Sequence, residues 1–437
     1  MKRETAGVMV VGGGLAGLTA GLCLARRGVH VTLFEKAAAL GGRARTHERD
    51  GFHFNLGPHA LYRGGAGMAV LGDLQIRVEG RTPPPSGGYA VDGGRMHTLP
   101  VGIASLVATG LLPLRDKAAL AQVLARLSRE DARDPRTVHT SLAQWLEGLR
   151  VPPRVRQVIE ALVRLTTYGT DVERLSAAAA IQQLQTAQRA GVLYLHRGWQ
   201  SLVDRLAEAA RDAGVQIVGG ARVAAVERGP GVSAVRLHDG TRYAAQAVIV
   251  AAGPADAAAL VEAAERTSLV QWAHDAAPVF VASLDLALRH LPRPRALFAV
   301  GIDRPMYFSV HSATAQLAPD GRALVHAAMY LGSEAAVDRH SVRREIEALV
   351  DLVQPGWRDA VVRARFLPHL RVAHDLPAAA HGGLTGRPGP QVPEVPGLFV
   401  AGDWVGPRGM LADASLASAH AAAEAAWAHV RKTVRAA

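Results

Sequence analysis

Two kinds of apolar pattern run along the chain, and each predicts a different element. Residues 7–11 (GVMVV) are short, continuous and rich in β-branched side chains, ended by glycines, and predict a buried strand. From Leu15 to Arg27 the apolar positions predict a helix, with Gly28 as its stop. "VHVTLFE" (29–35) predicts the next strand, so the chain opens with a strand–turn–helix–strand unit, and a parallel pair needs such a crossover. Between about 99 and 190 the apolar residues recur at three- and four-residue spacing, as in "KAALAQVLARL" and "AAAAIQQLQTA", which predicts helices. The pattern then changes. A helix over 200–213 feeds a strand at 215–218, followed by short strands punctuated by glycine. Asp239-Gly240 is a hairpin signal, and Ala247–Ala252 is an apolar strand stopped by Gly253-Pro254. Residues 278–330 alternate as several strands, 341–353 is an amphipathic helix, "LFVAG" is a last strand, and a last helix starts near Ala412. Pro/Gly-rich stretches at 81–88 and 386–397 mark boundaries.

Composition narrows what this frame can do. The 437 residues are 49% hydrophobic, ample for two domains. The formal charge is +11, almost all of the basic residues being arginine. The arginines are scattered, without aromatic-studded patches, which speaks against a nucleic-acid partner. A basic chain is compatible with an anionic membrane surface, and peripheral contact is left open. The single cysteine, Cys23, excludes an internal disulfide and argues against a cysteine metal site. The first 25 residues superficially resemble a signal peptide, but their glycines are phased for a phosphate loop, so a cytoplasmic location is expected. No run reaches the roughly 18 apolar residues of a spanning helix. The nearest, Leu99 to Leu114, is followed by Arg115, Lys117, Arg126 and Arg129, and reads either as an interfacial helix or as a buried helical hairpin.

The first glycine cluster is Gly12-x-Gly14-x-x-Gly17. Gly12 permits the tight turn, Gly14 lets backbone approach a pyrophosphate at the helix start, and Gly17 lets helix and strand pack closely. The strand before, the helix after, and Glu35, 18 residues past Gly17, complete the setting. An acid at that position accepts hydrogen bonds from a ribose and repels a 2′-phosphate, so NADP is disfavoured.

A second glycine-and-acid turn, "AGDW", stands near the other end of the chain at 401–404. FAD is longer than one mononucleotide unit can hold, so its flavin end needs a second segment returned to the same sheet. Gly402 would allow close approach, Asp403 would accept from ribityl hydroxyls or orient a diphosphate-bound water, and the following helix start favours negative charge. Gly41-Gly42-Arg43 lies shortly after the acid, and Arg43 can pair with a phosphate or cover a ring edge.

With these motifs the chain resembles the flavin amine oxidase and phytoene desaturase superfamily, which includes protoporphyrinogen oxidases. The resemblance rests on Val8 to Tyr62, "RGWQSLVDRLAEAA", "VIVAAGP" and Pro396 to Ala425. It implies an α/β fold with a Rossmann-type FAD-binding domain (GR2-like) built from 1–80, 198–268 and 389–437, and a discontinuous α+β substrate domain built from 81–197 and 269–388. The family positions carried over are Gly12, Gly14, Gly17, Glu35, Gly42, Arg43, Val223 (a backbone contact to adenine), Gly402 and Asp403. Their neighbours Leu15, Ala16, Lys36, Gly57, Pro58, Gly253, Leu411 and Ala412 complete the expected cofactor site.

Departures from the family pattern shape the expected chemistry. Many flavin amine oxidases place a lysine near the flavin, and residues 118–431 contain none. Cys23 sits in the first helix, so the FAD is expected to be non-covalent. Asn55 replaces an acid, which would loosen a local hydrogen bond. Leu411, Ala412 and Asp413 replace a glycine and glutamate. The resemblance implies hydride transfer to flavin N5 from an aligned C–H bond, with little side-chain chemistry. His59 is the candidate base or orienting donor. Tyr62, Tyr307, Phe308, Tyr330 and Trp404 are the candidate walls of a pocket for a small, apolar substrate. The leading expectation is an FAD-dependent desaturase, dehydrogenase or oxidase acting on an isoprenoid- or acyl-like substrate. The alternatives are an amine or amino-acid oxidase and, from another class, a prenyl-lipid escort that uses no flavin. A flavin-dependent isomerase also fits the pattern. Oligomeric state is not legible.

Overall fold

A computed structural model describes residues 7–84, 88–132, 134–332 and 338–436. The Pro/Gly stretch at 81–88 therefore lies partly outside the described residues.

Two seven-stranded sheets organise the chain. In the first, β1 (Gly7–Val11) is central and fully buried, as its apolar run predicts. It pairs in parallel with β2 (Val31–Glu35) on one side and with Arg242–Val250 on the other. Gln216–Gly219 extends the sheet beyond β2. The strand Arg242–Val250 has two jobs. Its last residues pair in parallel with Leu398–Val400, and its first residues pair antiparallel with Val232–Leu237. The hairpin between those antiparallel strands turns at Asp239-Gly240, with Gly240 at φ +87° and the Asp239 carboxylate accepting from the Thr241 N–H. The first sheet thus draws strands from three separated stretches. The helix α1 (Leu15–Ala25) packs between the last helix, Leu411–Ala436, and the helix Gln200–Asp212. Cys23 lies in that packing, and burial pushes its thiol up to about 12.

The second sheet runs in the order Val361–Ala373, Val279–Leu288, Ala323–Leu331, Met306–Ser309, Phe298–Gly301, Gly88–Asp92 and Arg95–Thr98. The hairpin at 88–98 was not read from the sequence, nor was the long strand Val361–Ala373. That strand has mostly half-exposed or exposed side chains, so its apolar signal is weak. One face of the sheet packs on the helix Arg339–Val353. The other meets a helical layer that includes Leu114–Leu127, Pro153–Thr167 and Ala177–Ala190. Because side chains alternate across a strand, Phe308 points to the Arg339–Val353 side and is fully buried there, while Tyr307 and Ser309 face the helical layer. The expectation that Phe308 lines a substrate pocket is corrected by this alternation.

The apolar stretch after Leu99 divides. Leu99, Leu111 and Leu112 are buried in the helical core. Ile103, Val107 and Leu114 are 88%, 72% and 84% exposed.

Candidate functional site

A single cavity of about 1440 Å³ runs between the two sheets. Ligand pockets ordinarily measure about 300–1,000 Å³, so this one has room for a cofactor and a substrate together. Its two ends are built differently.

The first end is made of backbone. Gly12 takes φ +112°, and a Cβ there would strike the Ala251 carbonyl. At Gly17 a Cβ would lie 1.8 Å from the Gly12 carbonyl oxygen, so helix and loop can touch only through glycine. Gly14 is different. A Cβ there would meet nothing closer than 3.9 Å, so the space it leaves opens on the cavity. It is also the N-cap of α1, where no side chain caps the helix and no acid sits in the first turn. The Leu15–Ala16 turn lines the cavity with its N–H groups free of any side-chain acceptor. An uncapped helix start beside reserved space is what an anionic diphosphate needs. Glu35 fixes the loop: its carboxylate accepts from the Gly13 N–H at 2.7 Å and the Ala37 N–H at 2.8 Å, and still lines the cavity. Lys36, Val223 and Gly253 lie on the same wall, and His374 packs over Gly253. The residues present fit a dinucleotide cofactor.

In the middle of the cavity the structure revises two expectations. Asp403 does not line it. Its carboxylate accepts from both Arg43 Nη atoms at 2.8 and 2.9 Å, from the His374 N–H at 2.9 Å, and bonds His374 Nδ1 at 2.8 Å. Burial alone would raise its pKa, but Arg43 and His374 outweigh this and hold it well below the usual carboxylate range. Asp403 therefore orients Arg43 rather than meeting a ribityl hydroxyl. Arg43 lines the cavity with its guanidinium also bonded to the Val372 carbonyl. Trp404 is not a pocket wall either: its indole N–H donates to the Ala252 carbonyl at 2.9 Å and its ring packs near Trp272 in a core cluster. Gly402 does reach the cavity, as do Gly42, Pro58, Leu411 and Ala412. Leu411 stands at φ +55°, a strained conformation for leucine. Gly57, expected at the cofactor, does not line the cavity; it takes φ +79°, and a Cβ there would lie 2.9 Å from Leu370.

Asn55 holds its hydrogen bonds. Its amide oxygen accepts from Thr46 Oγ1 at 2.7 Å and from the Trp199 N–H at 3.0 Å, so the expected loosening does not occur. His59 lines the cavity against Trp199, with ring centroids 5.3 Å apart. Burial pushes it down to about 4, so it is neutral at neutral pH. Its Nδ1 is 3.1 Å from the Gly57 carbonyl oxygen. A carbonyl only accepts, so Nδ1 carries the proton and Nε2 is left as an acceptor. His59 is thus poised to accept a hydrogen bond from the cavity rather than to donate one.

The second end is made of side chains. Tyr62, Tyr168, Tyr194, Tyr307, Phe298 and Tyr330 line it. The Tyr62 hydroxyl donates to the Thr166 carbonyl and the Tyr168 hydroxyl to the Pro58 carbonyl, so these two present mainly their rings. Sequence reasoning missed His374, Tyr168, Tyr194 and His311 because each belongs to a stretch without a local motif.

The comparisons with known proteins agree with this construction. The family model described as flavin containing amine oxidoreductase matches residues 15–426, and the chain belongs to that family. A flavin cofactor follows from membership. An oxidoreductase from Methanosarcina mazei superposes with a TM-score of 0.75 at 18% identity, covering 95% of this chain and 99% of the other. A cyclohexylamine oxidase from Brevibacterium oxydans gives 0.73 at 16% identity, covering 98% and 99%. At such identity these two show the shared fold. Among curated proteins, a 4,4′-diaponeurosporene oxygenase of Staphylococcus aureus is 44% identical over 54 residues, which is 12% of this chain and 11% of that one. The chain thus matches only about a tenth of the length of these curated relatives. Among the described residues no helix is long and apolar enough to cross a membrane.

Proposed function

We propose that the chain binds FAD non-covalently and oxidises an apolar, isoprenoid- or acyl-like substrate by removing hydride from a C–H bond. The observation that carries this reading is the continuity of the cavity: it joins an uncapped helix start to an aromatic-lined end without a break. Bound flavin supplies the hydride acceptor. The chain's own residues do the rest. The glycine loop and Glu35 hold the nucleotide, Arg43 is fixed by Asp403 beside the middle of the cavity, and the aromatic walls exclude water and align the substrate. His59 offers a neutral acceptor on the same wall. The short match to a diaponeurosporene oxygenase supports an isoprenoid over an amine, as does the lack of lysine from 118 to 431.

The absorption spectrum of the purified protein, followed by acid precipitation, tests the cofactor. Flavin released to the supernatant supports non-covalent FAD, and its mass separates FAD from FMN. Colour retained in the pellet would overturn non-covalent binding. A protein that stays colourless after incubation with FAD would leave the lipid escort as the better reading. Anaerobic bleaching of the flavin by lipophilic alkenes but not by amines supports the substrate class, and the reverse pattern would replace it with an amine oxidase.

A second observation supports peripheral membrane contact. Ile103, Val107 and Leu114 are exposed beside Arg115, and Leu99 and Val101 of the same stretch line the cavity. An apolar patch with cations at a cavity mouth suits an anionic bilayer. Co-sedimentation with phosphatidylglycerol vesicles, lost in the triple variant Ile103→Ser, Val107→Ser, Leu114→Ser, supports it. Retention by that variant would remove it.

A further inference from the structure

Behind the aromatic end of the cavity lies a polar row that hydride transfer does not explain. It runs straight across the second sheet. Ser309, His326, Asp285 and Arg365 sit opposite one another on four adjacent strands, in register. Asp285 and His326 are wholly buried. His326 Nδ1 is 2.7 Å from Asp285 Oδ1, and the Arg365 guanidinium donates to Oδ2, so the carboxylate is bonded from both sides. Burial opposes the charge of Asp285, and His326 and Arg365 together hold its pKa below the usual value. A carboxylate only accepts, so His326 Nδ1 carries a proton towards Asp285. The His326 Nε2 has no hydrogen-bond partner among the described residues.

The row ends at a cluster that borders the cavity. His311 stands edge-on to His326, with ring centroids 4.9 Å apart, and stacks on Tyr194 at 3.8 Å. Its Nε2 is 3.0 Å from the Tyr307 hydroxyl, and its Nδ1 has no partner among the described residues, although the residue is 1% exposed. The Ser309 hydroxyl interacts with both the Tyr194 and Tyr307 phenols. All four residues line the cavity. Of the other tyrosines at this end, Tyr62 and Tyr168 have their hydroxyls bonded elsewhere. A buried polar cluster in an apolar wall is costly unless it is matched, and two histidines with unpartnered nitrogens are more than packing requires.

We propose that Tyr194, Tyr307, Ser309 and His311 form a polar subsite that receives an uncharged oxygen group, a hydroxyl or carbonyl, at one end of an otherwise apolar substrate. The Asp285–His326–Arg365 row is the positioning frame behind it, holding the His311 edge and the Ser309 strand in place. The group is uncharged because none of the four subsite residues offers it a cation. Burial keeps His311 well below its ordinary range and hence neutral, both phenols are pushed up and stay protonated, and Arg365 is occupied by Asp285. This inference rests on the apolar-substrate reading above and gives that substrate a polarity and a direction.

Fluorescence titration of the flavin-loaded protein with farnesol, farnesene and farnesoic acid tests it, since Trp199 lines the cavity as a reporter. The expected result is that farnesol binds about five- to tenfold more tightly than farnesene, the worth of one neutral hydrogen bond. Farnesoic acid at pH 8 should bind more weakly than farnesol. Tyr307→Phe and His311→Phe should bring the alcohol-to-hydrocarbon ratio to about one while leaving farnesene affinity unchanged. A merely structural role would weaken both ligands equally. If His311→Phe fails to fold, Tyr307→Phe, which keeps the ring, decides. Equal binding of alcohol and hydrocarbon by the native protein overturns the subsite, as does a preference that survives both substitutions. Tighter binding of the acid overturns the claim of an uncharged group. Binding of none of the three by flavin-coloured protein overturns the apolar-substrate reading itself, and the subsite with it.

Discussion

The two ends of the cavity hold their ligands by opposite means. At the Gly12 end the binding surface is main chain: a helix start without a cap, and glycines that are absent side chains. At the Tyr307 end it is side chains, each delivered by a different strand or helix. A main-chain site is encoded within a few consecutive residues, because a turn is a local event. A side-chain site is encoded by register between strands that lie far apart in the chain. The first is intolerant of an added atom at Gly12 or Gly17. The second tolerates exchange at many positions and changes what it accepts.

That comparison can be broken most severely at Gly17. Gly17→Ala places a Cβ against the Gly12 carbonyl, so loop and helix must separate. Flavin affinity is expected to fall at least a hundredfold, about 3 kcal/mol, measured by the flavin retained after dialysis. Unchanged affinity would show that the main chain there is more yielding than the structure implies.

Phe308→Ala comes next. Phe308 is fully buried on the far face of the substrate sheet, so the variant should lose about 3–5 kcal/mol in urea unfolding. Its flavin spectrum and ligand selectivity should stay native. A change in selectivity without loss of stability would put Phe308 back among the pocket walls.

Much of the first end was legible, and much of the second was not, for a physical reason. Gly12, Gly14, Gly17 and Glu35 are recognisable because their spacing is the geometry. Tyr307 and Phe308 were both expected in the pocket, although strand alternation permits only one of two adjacent residues to face it. Trp404 follows the cofactor turn closely in sequence, yet its indole turns back to the Ala252 carbonyl. Asp403 was expected to meet the cofactor, but its carboxylate turns to Arg43 and His374. Nothing around His374 marks it, since it meets Asp403 only because Val361–Ala373 ends there.

A smaller effect separates the two ends by pH. Asp413 is buried in the first turn of the last helix, accepting from the Gly67 N–H at 2.8 Å, and burial raises its pKa to about 6. Its folded value lies above its unfolded value, so the folded state holds the proton more tightly. Stability is therefore unaffected below about pH 4 and declines as pH rises towards 6, where the charge is forced on a buried site. Asp413→Asn keeps an acceptor for Gly67 and removes that penalty. It should gain about 1–3 kcal/mol at pH 7.5 and nothing at pH 3.5, read from urea midpoints at the two pH values.

The smallest expected change is at Leu411. Leu411→Gly removes a side chain from a left-handed position. Relief of about 1 kcal/mol should raise Tm by about one degree. A fall in Tm instead would mean that the leucine side chain contributes more by packing than its backbone conformation costs.

The strand Arg242–Val250 takes as a neighbour Leu398–Val400, about 150 residues later in the chain. At a synthesis rate of roughly 5–20 residues per second, on the order of ten seconds pass between the two. Through that interval Arg242–Val250 lacks the partner strand on that flank. The segments carrying Gly402 and Leu411 do not yet exist. A cavity wall that includes Gly402 and Leu411 is therefore complete only on nearly finished polypeptide.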